Sequence, residues 1–212
     1  MTLSPSELTF VSYLKYHPSG TSKVTKDSKQ IVLQIKNDRN QIIKRISEKI
    51  AARRSTFECL KRVFDDDVTL VPIPGHARRV EGGLWIAKRI CEELVGFGLA
   101  ESFCPCIERK ITIQKSAYAK PGESRPSPED HFNSTIVTDD IISTRRVTLV
   151  DDVITRGSSL VGLTHLLKQR YPRLIIERFA IVRTVREEFE AVLDPIEGII
   201  RDKGNNFVRR EP

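Results

Sequence analysis

The sequence of 212 residues has no apolar run that approaches the roughly 20 residues needed to cross a bilayer. Its N-terminus, MTLSPSELTF, lacks the basic-then-apolar pattern of a secretory signal. Internal repeats and low-complexity tracts are absent as well. These absences argue against a membrane protein and against a secreted one, so we expect a cytoplasmic location and no membrane partner.

Cysteine is scarce, with four residues in the chain. Cys104 and Cys106 are spaced too closely for a usual zinc pair, and no second Cys/His pair lies nearby. This spacing argues against a zinc site. The cysteines are predicted to be structural thiols of a reducing compartment.

The net charge of +7 is concentrated in residues 1–64, which hold thirteen Lys and Arg against five Asp and Glu. Such a segment can attract nucleic acid or an anionic substrate. Few aromatic residues accompany these charges, which weakens a case for single-strand binding. Because an isoleucine stripe at positions 42, 43, 46 and 50 separates apolar from basic residues, a solvated helix face is the favoured interpretation.

The hydrophobic pattern predicts one domain of alternating strands and helices, with a parallel sheet covered on both faces. With 39% hydrophobic and 30% charged residues, the chain has the composition of a globular protein. We expect strands or extended segments at 5–16, 30–36, 68–73, 103–108, 146–150 and 174–182. We expect helices at about 38–54, 82–95 and 160–170, and a polar tail with a short helix at best over 183–212.

The segment Val147 to Leu160, VTLVDDVITRGSSL, combines a strand pattern, two acids and a small-residue loop. The strand leads into Asp151 and Asp152, and the loop of residues 155–159 opens into a helical leucine pattern. A loop at a helix N-terminus binds anions, because its N–H groups point outward and the helix dipole favours negative charge. Carboxylates instead suit sugar hydroxyls or a hydrated Mg²⁺. The anion-binding loop and the two carboxylates together predict a site for a phosphorylated ribose.

This segment resembles the signature of the type I phosphoribosyltransferases: a hydrophobic strand, two acids and a Thr/Ser-rich loop containing glycine. The resemblance implies that Asp151 and Asp152 bind the ribose hydroxyls of phosphoribosyl pyrophosphate (PRPP) and Mg²⁺. It also implies that the 5′-phosphate is bound by Thr155, Arg156, Gly157, Ser158 and Ser159. Gly157 is expected to let the backbone approach the phosphate, and Arg156 replaces the family's small residue. The competing interpretation is a strand-to-helix turn without a ligand.

A second loop, after the strand predicted at 68–73, carries residues suited to the pyrophosphate of PRPP. Gly75 is expected to permit unusual backbone angles, and the side chains of His76, Arg78 and Arg79 supply donors. In the family, a loop after an earlier strand grips the pyrophosphate. The resemblance therefore assigns pyrophosphate binding to these four residues.

The longest loop-like stretch, residues 114–132, contains three prolines and one glycine. A loop this long in a compact domain is commonly functional, and the family has a flexible loop that closes over its active site. The resemblance thus gives Lys115 and Arg125 a catalytic role, with Lys120 as a third cation facing the pyrophosphate. A basic surface loop without a catalytic role is the alternative.

The wider arrangement, from about Val68 to Thr184, is most similar to the ComF-like branch of the family. That resemblance implies an α/β fold: a type I phosphoribosyltransferase-like parallel sheet flanked by helices, with a small hood from the termini. Residues 1–64 would form a basic segment and part of the hood, 65–184 the core, and 185–212 a tail or hood. Gly83-Leu84-Trp85 stands where the branch has Gly-Phe-Asn.

Three functions fit these features. The first is a Mg²⁺-dependent transferase that uses PRPP to ribosylate a nitrogenous base or amine and releases pyrophosphate. The second is a non-catalytic protein that senses PRPP or a nucleotide and regulates a partner, with the possibility of an association with nucleic acid. The third is direct nucleic-acid binding, which rests on charge and family analogy. The resemblance also leaves a homodimer open, and the sequence does not identify the acceptor.

Overall fold

Apolar strands and amphipathic helices alternate in the computed structural model of the protein, which describes residues 7–39, 41–114, 125–138, 142, 144–203 and 208–211. The strands are Glu7–Tyr16 (β1), Val68–Pro72 (β2), Ser102–Phe103 (β3), Ile107–Arg109 (β4), Thr135–Val137 (β5), Arg146–Ile154 (β6), Ile175–Thr184 (β7), Leu193–Asp202 (β8) and Val208–Glu211 (β9). The helices are Lys23–Lys36 (α1), Ile42–Arg53 (α2), Glu58–Val63 (α3), Ile86–Gly96 (α4), Pro128–Asn133 (α5) and Ser158–Arg170 (α6).

The main sheet has the strand order β3-β2-β6-β7-β1-β8-β9. Strands β3, β2, β6, β7 and β1 are parallel to their neighbours, whereas β8 and β9 add antiparallel pairs at one edge. Strands β4 and β5 form a separate antiparallel pair. The predicted parallel sheet flanked by helices is confirmed. The carboxyl ends of β2, β6, β7 and β1 consequently meet at one edge, where ligands bind in sheets of this kind.

Helices cover both faces of the sheet, which explains why β2 is buried along its whole length. One core packs α1, α2, α3 and α4 against the sheet, and the other packs α6. The predicted stripe on α2 is confirmed at Ile43, Ile46 and Ile50, which are buried, while Lys44 and Arg45 are exposed. The four cysteines are not joined in disulfides, and three of them are buried.

The prediction of an extended segment at 30–36 is wrong, because these residues lie in α1. The Ser22 side chain accepts a hydrogen bond from the Thr25 N–H and starts the helix. Thr25, Ser28, Val32 and Ile35 then form its buried face. Small polar residues occupy half of this face, so the helical period was hidden in the hydrophobic pattern.

The prediction of a polar tail over 183–212 is also wrong, because β8 and β9 lie there. Pro195 and Gly198 hid the strand, since both residues are depleted in strand interiors. The pairing of β8 with β1 is irregular next to Pro195, between the pairs of Ser12 and Leu14. Gly198 faces Phe10: a side-chain carbon at this glycine would lie 2.5 Å from the ring.

The segments expected to contribute a hood, 1–64 and 185–212, extend the main sheet beyond β7 with strands β1, β8 and β9. The long loop predicted at 114–132 ends in α5, which begins in a capping box of Ser127 and Asp130. Residues 115–124 lie outside the described part of the chain. Across the described ranges, no helix is long and apolar enough to span a membrane.

Candidate active site

Strand β6 carries the acid pair past the end of its neighbour β2. The last bond between the two segments joins the Ile73 N–H to the Val150 carbonyl at 2.9 Å. Asp151 and Asp152 follow at once and still belong to β6, paired with β7 on the other side. The acids were predicted to come after the strand, whereas the structure places them among the last four residues of β6. The β2 side of the pair is thereby open at the sheet edge.

The two carboxylates are half-buried and differ in their contacts. Asp151 accepts hydrogen bonds from the Asp152 N–H at 2.9 Å and from the Ser159 hydroxyl at 3.1 Å. Burial, followed by the negative charge of Asp152, raises the pKa of Asp151 well above its usual value, and the Ser159 hydroxyl opposes this shift. Hydroxyl donors or a cation at the pair would favour the charged form. The pair therefore suits a diol or a divalent metal ion.

The loop of residues 155–157 leads into the N-terminus of the 13-residue helix α6. Gly157 is the N-cap residue with φ +92°, and no side chain caps the first turn. A helix start without a side-chain cap presents its first N–H groups to an external acceptor. Ser159 is already bonded to Asp151, which links the acid pair to the helix start. The predicted strand, loop and helix are confirmed, and the acids lie within the strand.

The structure adds a packing contact to the role expected for Gly157. A side-chain carbon at this position would lie 2.6 Å from Cδ1 of Ile200 in β8, not in open space. Left-handed backbone and contact with β8 thus both require glycine here. Arg210 of β9 adds a hydrogen bond from its Nε to the Thr155 carbonyl at 3.2 Å. The terminal strands hold the loop in place, a contact that the local sequence does not indicate.

The loop of residues 74–79 follows β2 and begins directly beside the acid pair. Gly75, His76, Arg78 and Arg79 are exposed. Gly75 does not have a positive φ, and the left-handed glycine of this region is Gly82, with φ +71°. The Arg79 guanidinium lies 5.6 Å from the centroid of the Trp85 ring. No helix starts within the loop, so its anion donors would be side chains.

Arg109, at the end of β4, supports the loop of residues 74–79. It was not among the residues predicted from the sequence. Its Nε donates to the Gly75 carbonyl at 2.8 Å, and its other nitrogens contact the Ser134 hydroxyl and His131 Nδ1. The side chain is only 5% exposed. Burial lowers the pKa of Arg109 to about 10. Burial and the Arg109 charge lower the pKa of His131 to about 4, so its ring is neutral near pH 7.

The predicted lid residues divide between described and undescribed parts of the chain. Lys115 and Lys120 lie outside the described residues. Arg125 lies beside Thr155 and Arg156 in the wall of a cavity of about 970 Å³. The structure therefore brings one predicted lid cation to the predicted phosphate loop. The residues of the loop at 74–79 do not line this cavity.

The Mg²⁺ site predicted at Asp151 and Asp152 contains two carboxylates and no third protein ligand. Over the described ranges, no group of three or more His, Cys, Asp or Glu side chains is placed to hold a metal ion. Mg²⁺ commonly binds through one or two carboxylates and completes its shell with water and substrate phosphates. The acid pair fits that mode of binding.

Comparisons with known proteins place phosphoribosyltransferases among the similar solved structures. A hypoxanthine phosphoribosyltransferase from Staphylococcus aureus is 13% identical, with 70% of this chain and 68% of that chain covered and a TM-score of 0.36. An adenine phosphoribosyltransferase from Leishmania tarentolae is 16% identical, with 81% and 83% covered and a TM-score of 0.34. No protein-family model and no curated protein matches the sequence. Identities this low transfer neither substrate nor residue roles.

Proposed function

We propose that the protein is a phosphoribosyltransferase that transfers the phosphoribosyl group of PRPP to a nitrogen nucleophile and releases pyrophosphate. One observation carries this proposal: the acid pair lies one hydrogen bond away from a helix start without a side-chain cap. The Ser159 hydroxyl in the first turn of α6 donates to Asp151 at 3.1 Å. A diol-binding pair and a phosphate-binding loop in contact match the two ends of a ribose 5-phosphate.

In this proposal each element of the edge holds one part of PRPP. Asp151 and Asp152 accept hydrogen bonds from the ribose hydroxyls, and the loop of residues 155–159 donates to the 5′-phosphate. His76, Arg78 and Arg79 face the pyrophosphate, and Arg125 approaches from the lid. Asp151 and Asp152 would also hold Mg²⁺, which offsets the negative charge of the pyrophosphate when bound. Catalysis then consists of positioning and electrostatic stabilisation.

The reaction exchanges one bond at C1′ for another. The lone pair of the acceptor nitrogen forms the new bond, and the C1′–O bond breaks with its electrons leaving on pyrophosphate. A proton on the acceptor nitrogen passes to solvent. The proposed assignment to the ComF-like branch rests on the sequence motifs, and a cytoplasmic location is part of the same proposal.

Pyrophosphate release from Mg²⁺–PRPP with a panel of bases and amines tests the transferase. We expect at least one acceptor to give turnover that the double variant Asp151→Asn, Asp152→Asn loses. If the protein bound PRPP but released no pyrophosphate with any acceptor, the proposed transferase would be overturned and the PRPP-sensing protein would be favoured. One contact favours that alternative: Arg79 packs on Trp85 in this conformation, which keeps one of the proposed pyrophosphate donors in a stacking contact.

A further inference from the structure

The loop between β2 and α4 is closed at its base by Trp85, the one tryptophan of the chain. Its indole Nε1–H donates to the Ile73 carbonyl at 2.8 Å. The Ile73 N–H in turn donates to the carbonyl of Val150, the residue before Asp151, at 2.9 Å. Because these two bonds connect the last residue of the loop to the end of β2 and then to β6, the indole ring is held beside the acid pair.

The chain between Arg79 and Trp85 reverses direction in a tight turn. Gly82 has φ +71°, and the Gly83 N–H donates to the Val80 carbonyl at 2.9 Å. A side-chain carbon at Gly83 would lie 2.9 Å from that same oxygen. A left-handed angle and a close backbone contact both favour glycine. The two glycines therefore permit the turn that brings the chain back towards the base of the loop.

The turn places Arg79 on the ring of Trp85. The guanidinium carbon lies 5.6 Å from the ring centroid, which is within the range of a cation–π contact. Trp85 is half-buried and hydrogen-bonded, whereas Arg79 is exposed. The anchored ring therefore restrains the arginine, rather than the arginine restraining the ring.

A stacked guanidinium can still bind an anion. It contacts the ring with its face, while its N–H donors lie in its plane. Arg79 can consequently stack on Trp85 and donate to a phosphate oxygen at the same time. A long side chain that is restrained before the ligand arrives loses less entropy on binding. The stack thus favours tight binding of pyrophosphate, in a transferase and in a PRPP-sensing protein alike.

Resting on the proposed pyrophosphate loop, we propose that Trp85 is a positioning residue for pyrophosphate: it holds Arg79 beside the acid pair, in the place where this arginine binds the ligand. The arginine stays on the ring when pyrophosphate binds. Trp85 belongs to the segment in which this chain differs from the branch that it resembles, with Gly83-Leu84-Trp85 in place of Gly-Phe-Asn. The position of Arg79 is thereby a property of this chain.

A double-mutant cycle on pyrophosphate affinity tests whether Trp85 acts through Arg79. Trp85→Leu should weaken pyrophosphate binding about two- to threefold in calorimetric titration at low salt, as expected for the loss of one exposed cation–π contact. In an Arg79→Gln background the same substitution should change the affinity by less than about 1.5-fold, because the side chain that the ring restrains is already absent.

Arg78→Gln provides the matched background for this cycle. Arg78 lies in the same exposed loop, but it is anchored through its N–H, which donates to the Thr112 hydroxyl at 3.3 Å. Trp85→Leu should therefore keep its full effect on pyrophosphate binding in Arg78→Gln. Equal losses in the wild type, Arg79→Gln and Arg78→Gln would mean that Trp85 only maintains the loop, and would overturn the proposal.

Fluorescence of the one tryptophan tests the stack without a substitution at Trp85, and so does not depend on the folding of Trp85→Leu. Because Arg79 covers one face of the ring, acrylamide should quench the wild type less strongly than Arg79→Gln. Saturating pyrophosphate should leave this difference in place. If pyrophosphate raised the quenching of the wild type to that of Arg79→Gln, the ligand would withdraw Arg79 from the ring. The stack would then be a resting position, contrary to the proposal.

The pyrophosphate titrations separate this proposal from the proposed function. Binding of pyrophosphate to the wild type without coupling between Trp85 and Arg79 contradicts the positioning role of Trp85 alone. No binding of pyrophosphate at millimolar concentration contradicts the assignment of the loop at 74–79 in the proposed function, and with it the inference.

Discussion

The loops after β6 and β2 begin side by side at one edge of the sheet, and their conformations are fixed in different ways. The loop after β6 has a left-handed glycine, Gly157, and runs directly into α6. The loop after β2 has exposed cations, and α4 begins only at Ile86. In the proposed function, the first loop would bind phosphate with backbone N–H groups, whereas the second would bind pyrophosphate with side chains.

Support for the two loops also comes from different places. Ile200 and Arg210 of the terminal strands pack against the first loop. Arg109 supports the second from β4, with His131 of α5 beside it. The first loop is therefore part of the main sheet's packing. The second is attached to the β4–β5 pair, which connects it to the proposed lid.

Matched glycine substitutions should give the largest difference between the loops. Gly157→Ala forces a side-chain carbon to within 2.6 Å of Ile200 Cδ1 at φ +92°. Strain and overpacking should lower the free energy of unfolding by about 2–5 kcal/mol. Gly75→Ala meets no atom within 4 Å and should change it by less than about 0.5 kcal/mol. Urea denaturation measures the free energy of unfolding of both variants. Equal losses of stability would contradict the difference between the two loops.

Removing the buried cation should have the next largest effect. Arg109→Met leaves the Gly75 carbonyl and the Ser134 hydroxyl without their donor. We expect a loss of about 2–3 kcal/mol in stability and weaker pyrophosphate binding, both measurable on one preparation. Arg45→Met on exposed α2 should change stability by less than about 0.5 kcal/mol. If a folded Arg109→Met protein bound pyrophosphate with unchanged affinity, Arg109 would not support pyrophosphate binding by the second loop.

His131 should make the support of the second loop sensitive to acid. The folded protein lowers the pKa of His131 from 6.5 to about 4, so the unfolded chain binds the proton first as pH falls. Stability from this residue is complete above pH 6.5 and is lost towards pH 4, by about 2 kcal/mol at pH 5. Stability–pH curves of wild type and His131→Gln should therefore converge as pH falls. Curves that stay parallel would contradict a buried neutral ring.

Exposed cations should give the smallest effect. Arg78→Gln with Arg79→Gln should weaken pyrophosphate binding by about three- to tenfold, and less at high salt because exposed charges are screened. Stability should change by less than about 0.5 kcal/mol. Titration of pyrophosphate at two salt concentrations measures this. A loss that is independent of salt would mean that these side chains are not solvated as the structure shows.

Short-range patterns predicted the sheet and the first loop because their signals lie within a few residues. The strand, Asp151, Asp152 and the helix after Gly157 follow one another directly in the chain. The rest depended on contacts between distant residues. Arg109 and Gly75 are 34 positions apart, and no local pattern pairs a buried arginine with one carbonyl.

The terminal strands show the same limit. Pro195 and Gly198 contradict a strand locally, but β1 supplies the pairing and Phe10 fills the space above the glycine. The cations in the wall of the cavity beside Arg125 are dispersed along the chain from Lys15 to Arg210. Only the topology, which brings the ends of β6, β7 and β1 to one edge, collects them.

The stability of the protein with and without Mg²⁺–PRPP tests the central claim most directly. At about 100-fold excess over Kd, a ligand specific for the folded state adds about 2.7 kcal/mol, which raises the Tm of a chain this size by about 5–10 °C. Asp151→Asn with Asp152→Asn removes two repelling carboxylates, so the unliganded variant should be at least as stable as the wild type. We predict the full shift for wild type and none for the variant. An unchanged wild-type Tm at millimolar PRPP, or a shift that persists in the variant, would contradict the site.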